Sequence, residues 1–450
     1  MLVCCGPMLE MPVNASRPAA ANEGLALTLS ALAFFFVMVS YYIIRPVRDQ
    51  LGGATGSSAL PLIYSAVLVG VLLATLAFSA LVSRYSRQRL LGWSYGFFVL
   101  CLFAFVPLFA AQDRIGARNL GIAFYVWVSV FNLFVVSLFW SVMADLFDIV
   151  RARSAFPTIA LGGAFGTIAG SQITRDLVGL IGIPMLLVFS AGALSLALVL
   201  LLFLSARPVG NVGIESRDEV IGGSFLAGIK QLWTRPFLRY MAILMLLGDG
   251  IGTLAYALMS DYMKLHYPDA VERVRFLSDL DKYTNILVVA LQLTVTRWLM
   301  VRRGPTWALV IPAIVNVAML LAVAILGAGP VWLTAGVPLL AVMMASSRGF
   351  AYGMTKPAVD ALYTRVPRET RYKGKNFVET AIWRFGDVIV TSGVSVLGKL
   401  GMAVGGMAAI GTGVSVLAAW VAARAGHSPD LLPEEQIAPD TNAPARPAKV

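Results

Sequence analysis

The sequence predicts an all-α membrane protein that crosses the bilayer many times. Hydrophobic residues make up 58% of its 450 residues. Charged residues make up 13%, about half of the roughly 25% that is usual in soluble domains. Apolar runs of about 20 residues, the length that spans the hydrocarbon core as a helix, recur along the chain. A soluble enzyme and a disordered scaffold are therefore excluded.

Twelve such runs, bounded by charged residues, Pro or Gly, are predicted to be transmembrane helices. They cover residues 25–50, 59–82, 90–111, 120–146, 157–174, 181–204, 239–263, 281–300, 306–328, 331–362, 377–398 and 401–423. The first run is longer than the core of a signal peptide and no small-residue cleavage site follows it, so we expect it to be a span. In the fifth run, four glycines are spaced to form a small-residue packing face: Gly162, Gly163, Gly166 and Gly170.

The longest stretch without a span divides the chain into two six-helix bundles. We predict an N-terminal tail (1–24), an N-terminal bundle (25–204), a linker (205–238), a C-terminal bundle (239–424) and a disordered tail (425–450). Phe225, Ile229 and Leu232 predict an amphipathic surface helix in the linker. A faint repeat, in which Asp145 corresponds to Asp360, supports two parallel halves. Twelve helices in two such bundles are typical of the major facilitator fold.

The distribution of Lys and Arg predicts the orientation. With a cytoplasmic N-terminus, 22 of these residues fall on the cytoplasmic side and 10 on the other, which favours cytoplasmic placement of both termini in the cell inner membrane. The net charge of +11 then reflects loops near anionic lipid, and we expect no nucleic-acid partner. Three cysteines and two histidines form no pattern typical of a metal site, so we expect no cofactor, and we predict a monomer.

Several ionisable residues lie inside the predicted spans, where a cation costs roughly 2.5–3.5 kcal/mol on the mildest scale. The tenth span carries a stripe of polar residues spaced one helical turn apart: Arg348, Tyr352, Lys356 and Asp360. The eleventh and first spans carry charged residues at similar spacing. One interpretation is that neighbouring charges pair and lock helices together, as Arg45 with Asp49, Lys356 with Asp360 and Arg384 with Asp387. The set favours function, because apolar helices with small-residue contacts build a bundle at lower cost.

Three motifs resemble the ATP:ADP antiporter family, a branch of the major facilitator superfamily. They are YYIIRPVRD from Tyr41 to Asp49, the FWxxxAD end of the fourth helix, and the stretch from Tyr363 to Asp387 with its KGK loop. The resemblance covers residues 25–424 and identifies the chain as a divergent, bacterial-type member. It implies nucleotide exchange, with Arg45 and Arg48 matching the basic pair of the first helix. Ser129 and Val359 stand where these exchangers carry Glu and Lys.

The predicted function is secondary transport of an organic, phosphorylated anion by alternating access, without enzymatic activity. Four cations in one cavity, whose charge the acids of the same helices neutralise only in part, are expected to hinder reorientation of the empty carrier and to favour exchange. An alternative is a facilitator-type transporter of a neutral, cationic or lipidic substrate, in which the buried charges of the protein serve proton coupling. A third class is a membrane enzyme or a non-transporting receptor, for which no catalytic motif is present.

The predicted substrate-binding residues are Tyr41, Arg45, Arg48, Asn132, Tyr352, Lys356 and Arg384, and the predicted coupling or gating residues are Asp49, Asp145, Asp249, Asp360, Glu379 and Asp387.

Overall fold

The computed structural model describes residues 17–85, 87–147, 149–205, 232–366, 374–375 and 378–432. Within these residues the chain is helical. The N-terminal half consists of α1 (Arg17–Thr55), α2 (Leu60–Arg84), α3 (Arg87–Ala110), α4 (Ala117–Leu146) and the segment Ile149–Ser205, which Gly182 divides into α5 (149–181) and α6 (183–205). The C-terminal half consists of α7 (Pro236–His266), α8 (Ala270–Arg303), α9 (Pro305–Leu326), α10 (339–363), α11 (378–399) and α12 (Val404–Gly426).

Among the described residues, nine helical segments are long and apolar enough to cross a membrane by length and composition alone. One of them, Ala155–Ser205, contains both α5 and α6, because Gly182 has a positive φ of 76° that breaks the helix. The other two helices, α10 and α11, fall short because their charged residues lower the mean hydropathy. The described chain therefore contains the twelve predicted helices.

The largest difference from the predicted boundaries is in α8, which starts at Ala270 and not at residue 281. The charged residues from Arg273 to Lys282 lower the local hydropathy, so the apolar run starts late. In the structure these charges face the N-terminal half and are compensated there, which lets the helix continue. Asp281 and Lys282 consequently lie within the span.

The two predicted tails and the linker fall largely outside the described residues, including Phe225 and Ile229 of the predicted surface helix. The first part of the predicted disordered C-terminal tail, however, is ordered through Leu432. Asp430 accepts a hydrogen bond from the Phe237 amide at 3.1 Å, at the start of α7. The Leu432 amide donates to the Arg365 carbonyl at 2.9 Å. These bonds satisfy backbone groups that a helix end and a loop would otherwise leave unpaired.

In the N-terminal half, the glycine face of α5 allows a close approach to α1, as its spacing predicts. A Cβ atom at Gly162 or Gly166 would overlap the carbonyl oxygen of Ala31 or Phe35. At Gly170 it would lie 2.8 Å from the Val39 carbonyl oxygen. Residues larger than glycine cannot be accommodated at these positions without a backbone shift, so this face sets the distance between α1 and α5.

Among the described residues, the C-terminal half has π-helical turns at Gln292–Thr296, Ala351–Thr355 and Val378–Ile382. The first two are joined, because Gln292 Nε2 donates to the Tyr352 carbonyl at 3.1 Å and Thr296 Oγ1 donates to the Gly353 carbonyl at 2.8 Å. A π turn disrupts the regular backbone hydrogen bonding of an α-helix, and here the side chains of α8 satisfy carbonyls of α10. Such turns are frequent at functional sites.

The two halves meet at one face of the bundle, which we call the closed face. It carries the connections α1–α2, α5–α6 and α7–α8. The contacts that join the halves there, the latch, are Arg175 Nε to Asp279 at 2.8 Å, Lys282 Nζ to Gln172 at 3.0 Å, Lys264 Nζ to the Thr55 carbonyl at 3.2 Å, the Ser57 amide to Asp261 at 2.7 Å, and Arg273 to Gln50 at 3.4 Å. Within the described residues, the contacts of the latch lie at this face, and the Arg45–Asp281 and Tyr42–Asn285 contacts between the halves lie deeper in the bundle.

Candidate functional site

A cluster of charged residues lies where α1, α8 and α10 meet. We call Arg45, Arg48, Asp49, Asp281 and Arg348 the central cluster. Arg45 Nε lies 3.5 Å from Asp281 Oδ2, and Arg348 Nη1 lies 3.8 Å from Asp281 Oδ1. Arg48 contacts Asp49 Oδ1 through both Nε and Nη2, at 2.8 and 2.7 Å. The cluster thus combines three guanidinium groups with two carboxylates, and it has one positive charge in excess.

The depth of the central cluster follows from helix geometry. Arg45 is ten residues from the end of α1, Asp281 is eleven from the start of α8 and Arg348 is nine from the start of α10. At 1.5 Å per residue, all three lie about 15 Å from the closed-face ends of their helices. Since the hydrocarbon core is about 30 Å thick, they lie close to the membrane centre.

Aromatic residues orient the arginines of the cluster. Arg45 Nη1 donates to the Tyr42 hydroxyl at 2.9 Å, and Tyr42 in turn contacts Asn285 Oδ1 at 3.4 Å across the interface between the halves. The Arg48 guanidinium stacks on Tyr125 at 4.5 Å, and that of Arg348 lies 5.7 Å from the Tyr256 ring.

A layer of tyrosines separates the central cluster from the closed face. Tyr64 of α2, Tyr125 of α4 and Tyr256 of α7 pack with centroid distances of 5.9 and 6.4 Å. On the other side of the cluster, Tyr352 lies within electrostatic range of Arg45 and Arg348 but is 50% exposed. Tyr352 is thus half-exposed on the side of the cluster away from the latch, where the side chains of Arg45 and Arg348 are 14% and 16% exposed.

A second group contains two carboxyl groups that face each other, Asp249 of α7 and Asp387 of α11, which we call the carboxyl pair. They lie within hydrogen-bonding reach of one another. Asp387 accepts a bond from Thr253 Oγ1 at 2.7 Å and lies 3.4 Å from Arg384 Nη1. Asp249 Oδ2 is buried without a hydrogen-bond partner among the described residues. Within those residues no group of three or more His, Cys, Asp or Glu side chains is arranged to hold a metal ion.

A third group, the end cluster, lies near the ends of α10 and α11 away from the latch. Lys356 contacts Glu379 at 2.5 Å and Asp360 at 3.6 Å. Lys375 contacts Asp360 at 2.7 Å and Glu379 at 3.9 Å. Two cations and two carboxylates alternate, so the end cluster is neutral. Lys356 belongs to it and not to the central cluster.

The structure distributes the predicted site residues over these groups. The central cluster contains Arg45, Arg48 and Asp49. The carboxyl pair is formed by Asp249 and Asp387, with Arg384 beside Asp387. The end cluster contains Lys356, Asp360 and Glu379. Tyr41 packs edge-on against Tyr42 at 5.4 Å, close to Arg45. Asn132 is half-buried on α4 and makes no hydrogen bond within the described chain. The side chain of Asp145 lies outside what the structure describes.

The structure separates the four predicted cations, because Lys356 lies in the end cluster. Each of Arg45, Arg48, Lys356 and Arg384 has a carboxylate partner, so their charge is compensated more fully than the sequence predicts. The main partner missed by the sequence analysis is Asp281. Arg348 was noted in the polar stripe of the tenth span but not selected. The signal for Asp281 was present, since Asp281, Asn285 and Gln292 repeat at i, i+4 and i+11 and therefore share one helix face.

No protein-family model matches the sequence, and no curated protein matches it. Solved structures do match. A bacterial homologue of the iron transporter ferroportin, in an inward-facing state, has a TM-score of 0.63 at 15% identity, over 90% of this chain and 99% of that one. The POT family transporter PepTSo has a TM-score of 0.62 at 12% identity, over 90% and 98%. The nucleoside transporter NupG has a TM-score of 0.57 at 17% identity, over 90% and 99%.

The chain has the major facilitator fold. The predicted all-α, polytopic architecture of two six-helix bundles is thereby confirmed, and the protein is a multi-pass membrane protein. The three matched proteins are transporters by their descriptions, and none is an enzyme. Because the identities are low, the likeness concerns the fold. The resemblance to the ATP:ADP antiporter family stays a prediction.

Proposed function

We propose that this protein is a secondary transporter of an anionic solute, which binds at the central cluster. The observation that carries the proposal is the excess of one guanidinium over carboxylates in a buried cluster shared by both halves. A buried charge that lacks a full complement of opposite charge is costly, and an entering anion relieves that cost. Arg45 comes from the N-terminal half and Arg348 from the C-terminal half, so an anion bound there contacts both.

The substrate is an organic, phosphorylated anion. Guanidinium groups match phosphate and carboxylate oxygens with paired hydrogen bonds, which an ammonium group does not provide. The motifs that resemble the ATP:ADP antiporter family favour a nucleotide within this class. Ser129 and Val359 stand at positions where those exchangers carry charged residues. The set of candidate substrates is therefore wider than nucleotides and includes hexose phosphates and inorganic phosphate.

Transport proceeds by alternating access between the two halves. The latch and the tyrosine layer close one side of the central cluster, while Tyr352 is exposed on the other side. Both termini are cytoplasmic in this proposal, following the distribution of Lys and Arg, so the present conformation faces the cytoplasm. A phosphatase fused to the C-terminus tests the orientation, since activity outside the inner membrane would contradict it.

Counterflow in liposomes tests the substrate class. Liposomes carrying the purified protein are loaded with ADP, a hexose phosphate or inorganic phosphate, and uptake of the labelled anion is measured. Arg45→Gln and Arg348→Gln should each abolish uptake while the protein remains folded. Arg302→Gln is the matched control, because Arg302 is exposed at the end of α8. Transport of a neutral or cationic solute with no anion exchanged would contradict the proposal.

The carboxyl pair favours a second candidate, a proton-coupled transporter of a neutral or cationic solute. Two carboxylates within hydrogen-bonding reach repel each other unless one holds a proton, and Arg384 compensates only one of them. Under this candidate, uptake of the solute acidifies or alkalinises the liposome lumen, and Asp249→Asn abolishes that proton flux. A pH-sensitive dye inside the liposomes distinguishes the two candidates.

A further inference from the structure

We propose that Asp281 is a built-in counter-anion that occupies the substrate's place between Arg45 and Arg348 when the transporter is empty. This inference rests on the proposed anionic substrate. Asp281 is well placed for such a role, because its carboxylate lies between a guanidinium of each half and its side chain is only 5% exposed. A carboxylate presents two oxygens that share a negative charge, and a carboxylated or phosphorylated solute can present two such oxygens to the same guanidinium groups.

Asp281 is held by charge and not by hydrogen bonds. Its contacts with Arg45 and Arg348, at 3.5 and 3.8 Å, exceed the usual hydrogen-bond length. Asp281 Oδ2 and Arg45 Nε are both buried, and neither has a hydrogen-bond partner among the described residues. Arg48 and Asp49 of the same cluster make a contrast, because they are joined at 2.7 and 2.8 Å. Asp281 is therefore the displaceable carboxylate of the cluster.

An incoming anion can accept a hydrogen bond from Arg45 that Asp281 does not accept. Arg45 Nε has an unused donor, and an oxygen of the solute that reaches hydrogen-bond distance satisfies it. The solute thus competes with Asp281 for the two arginines. Backbone geometry keeps Asp281 on α8 at about the same depth, so it returns when the solute leaves.

This arrangement predicts net transport in addition to exchange. Without Asp281, the empty carrier would hold three buried guanidinium groups against one carboxylate, and moving the halves past each other in that state would be costly. With Asp281 the empty carrier retains a link between the halves and only one excess charge, so it reorients without a bound solute. The expectation of exchange from the sequence alone did not include this carboxylate.

The test compares efflux with exchange in the same liposomes. They are loaded with labelled ADP, hexose phosphate or inorganic phosphate and diluted into buffer with or without the unlabelled anion. For the unaltered protein we expect efflux into anion-free buffer at a rate comparable to exchange. Asp281→Asn should slow this efflux by about tenfold or more relative to exchange, and should lower the KM for the anion. Glu272→Gln, an exposed acid on the same helix, is the matched control.

Keeping the negative charge at this position should keep efflux. Asp281→Glu retains a carboxylate there, and we expect its ratio of efflux to exchange to stay close to that of the unaltered protein.

The two proposals fail in different ways. If no anion is exchanged by the unaltered protein, the proposed function fails. If anions are exchanged but the unaltered protein shows no efflux into anion-free buffer, the role of Asp281 is overturned, whether or not Asp281→Asn folds. It is equally overturned if folded Asp281→Asn keeps the ratio of efflux to exchange of the unaltered protein.

Discussion

Arg45 and Arg48 are less than one helical turn apart and both contact Asp49, but Arg45 also contacts a carboxylate of the other half. Arg48 is bound within the N-terminal half, by Asp49 beside it and by the Tyr125 ring. Arg45 extends across the interface to Asp281 of the C-terminal half. A change in the relative position of the halves therefore acts on Arg45 first. This difference makes Arg45 the residue of the pair that links solute binding to movement.

The hydroxyl of Tyr42 orients the Arg45 guanidinium, and its removal should weaken anion binding. In Tyr42→Phe, Arg45 Nη1 loses its acceptor at 2.9 Å while the cation–π contact remains. A hydrogen bond to a charged group contributes about 1.5 kcal/mol or more, so we expect a rise in KM of about tenfold. The maximal rate should change less. Uptake kinetics check this, with Tyr283→Phe as control because Tyr283 is exposed; an unchanged KM would show that Tyr42 does not position Arg45.

Lys356 should act through its carboxylate partners and not by binding the solute. Lys356→Gln leaves Glu379 without its contact at 2.5 Å and gives the end cluster a negative charge. We expect transport to fall. In Lys356→Gln combined with Glu379→Gln the cluster is neutral again, and transport should recover. A double variant as inactive as the single one would instead place Lys356 in direct contact with the solute.

The sequence identified most charged positions but not the contacts between helices. Arg45, Lys356 and Arg384 stand out because each is a cation in an apolar run. Asp281 was missed because the charges around it lower the hydropathy and conceal the start of α8. Pairings within one helix, such as Lys356 with Asp360 and Arg384 with Asp387, follow from spacing and are present at 3.6 and 3.4 Å. The contact of Arg45 with Asp281 depends on how two halves dock, and no spacing in the chain encodes that distance.

At the scale of helices, α8 and α10 depart from regular geometry at the same level. Their π turns are joined by the bonds from Gln292 and Thr296, and the turn of α10 lies between Arg348 and Lys356. Any change in this turn rotates the central cluster and the end cluster relative to each other. Hydropathy and helical periodicity do not predict π turns, because one extra residue per turn leaves the apolar content of the run unchanged.

The glycine face of α5 gives an element-scale prediction about stability. Valine at Gly166 would overlap the Phe35 carbonyl oxygen of α1, and backbone cannot move aside as a side chain can. We expect Gly166→Val to lower the free energy of unfolding by about 1–3 kcal/mol, the usual cost of overpacking. Gly192→Val is the control, because a Cβ at Gly192 meets nothing within 4 Å. Thermal unfolding in detergent measures both, and equal stability of the two variants would contradict the close packing of α1 and α5.

At the scale of the whole molecule, the contacts between the halves define one conformation of the two required for transport. The number of spans and the two-fold division follow from hydropathy and length. The conformation does not, because both states of a transporter bury the same apolar helices and differ only in which polar ends touch. The latch residues could therefore be named as polar and close to helix ends, but their pairing across the halves is visible only in the folded molecule.

Weakening the latch should shift the protein toward the state that is open at the closed face. Arg175 contacts Asp279 at 2.8 Å across the halves. Because both side chains are partly exposed, this ion pair contributes only modestly to the stability of the closed face, and salt screens it. We expect Arg175→Gln combined with Asp279→Asn to raise the population of the opened state a few-fold, with a smaller effect at high salt.

Spin labels at Leu180→Cys and Leu265→Cys, both exposed at the closed face, report the distance between the halves after the native cysteines are replaced. The control is Arg302→Gln, far from this face, which should leave the distance distribution unchanged. If the latch variant gives the same distribution as the control, the closure of this face depends on the tyrosine layer and apolar packing alone.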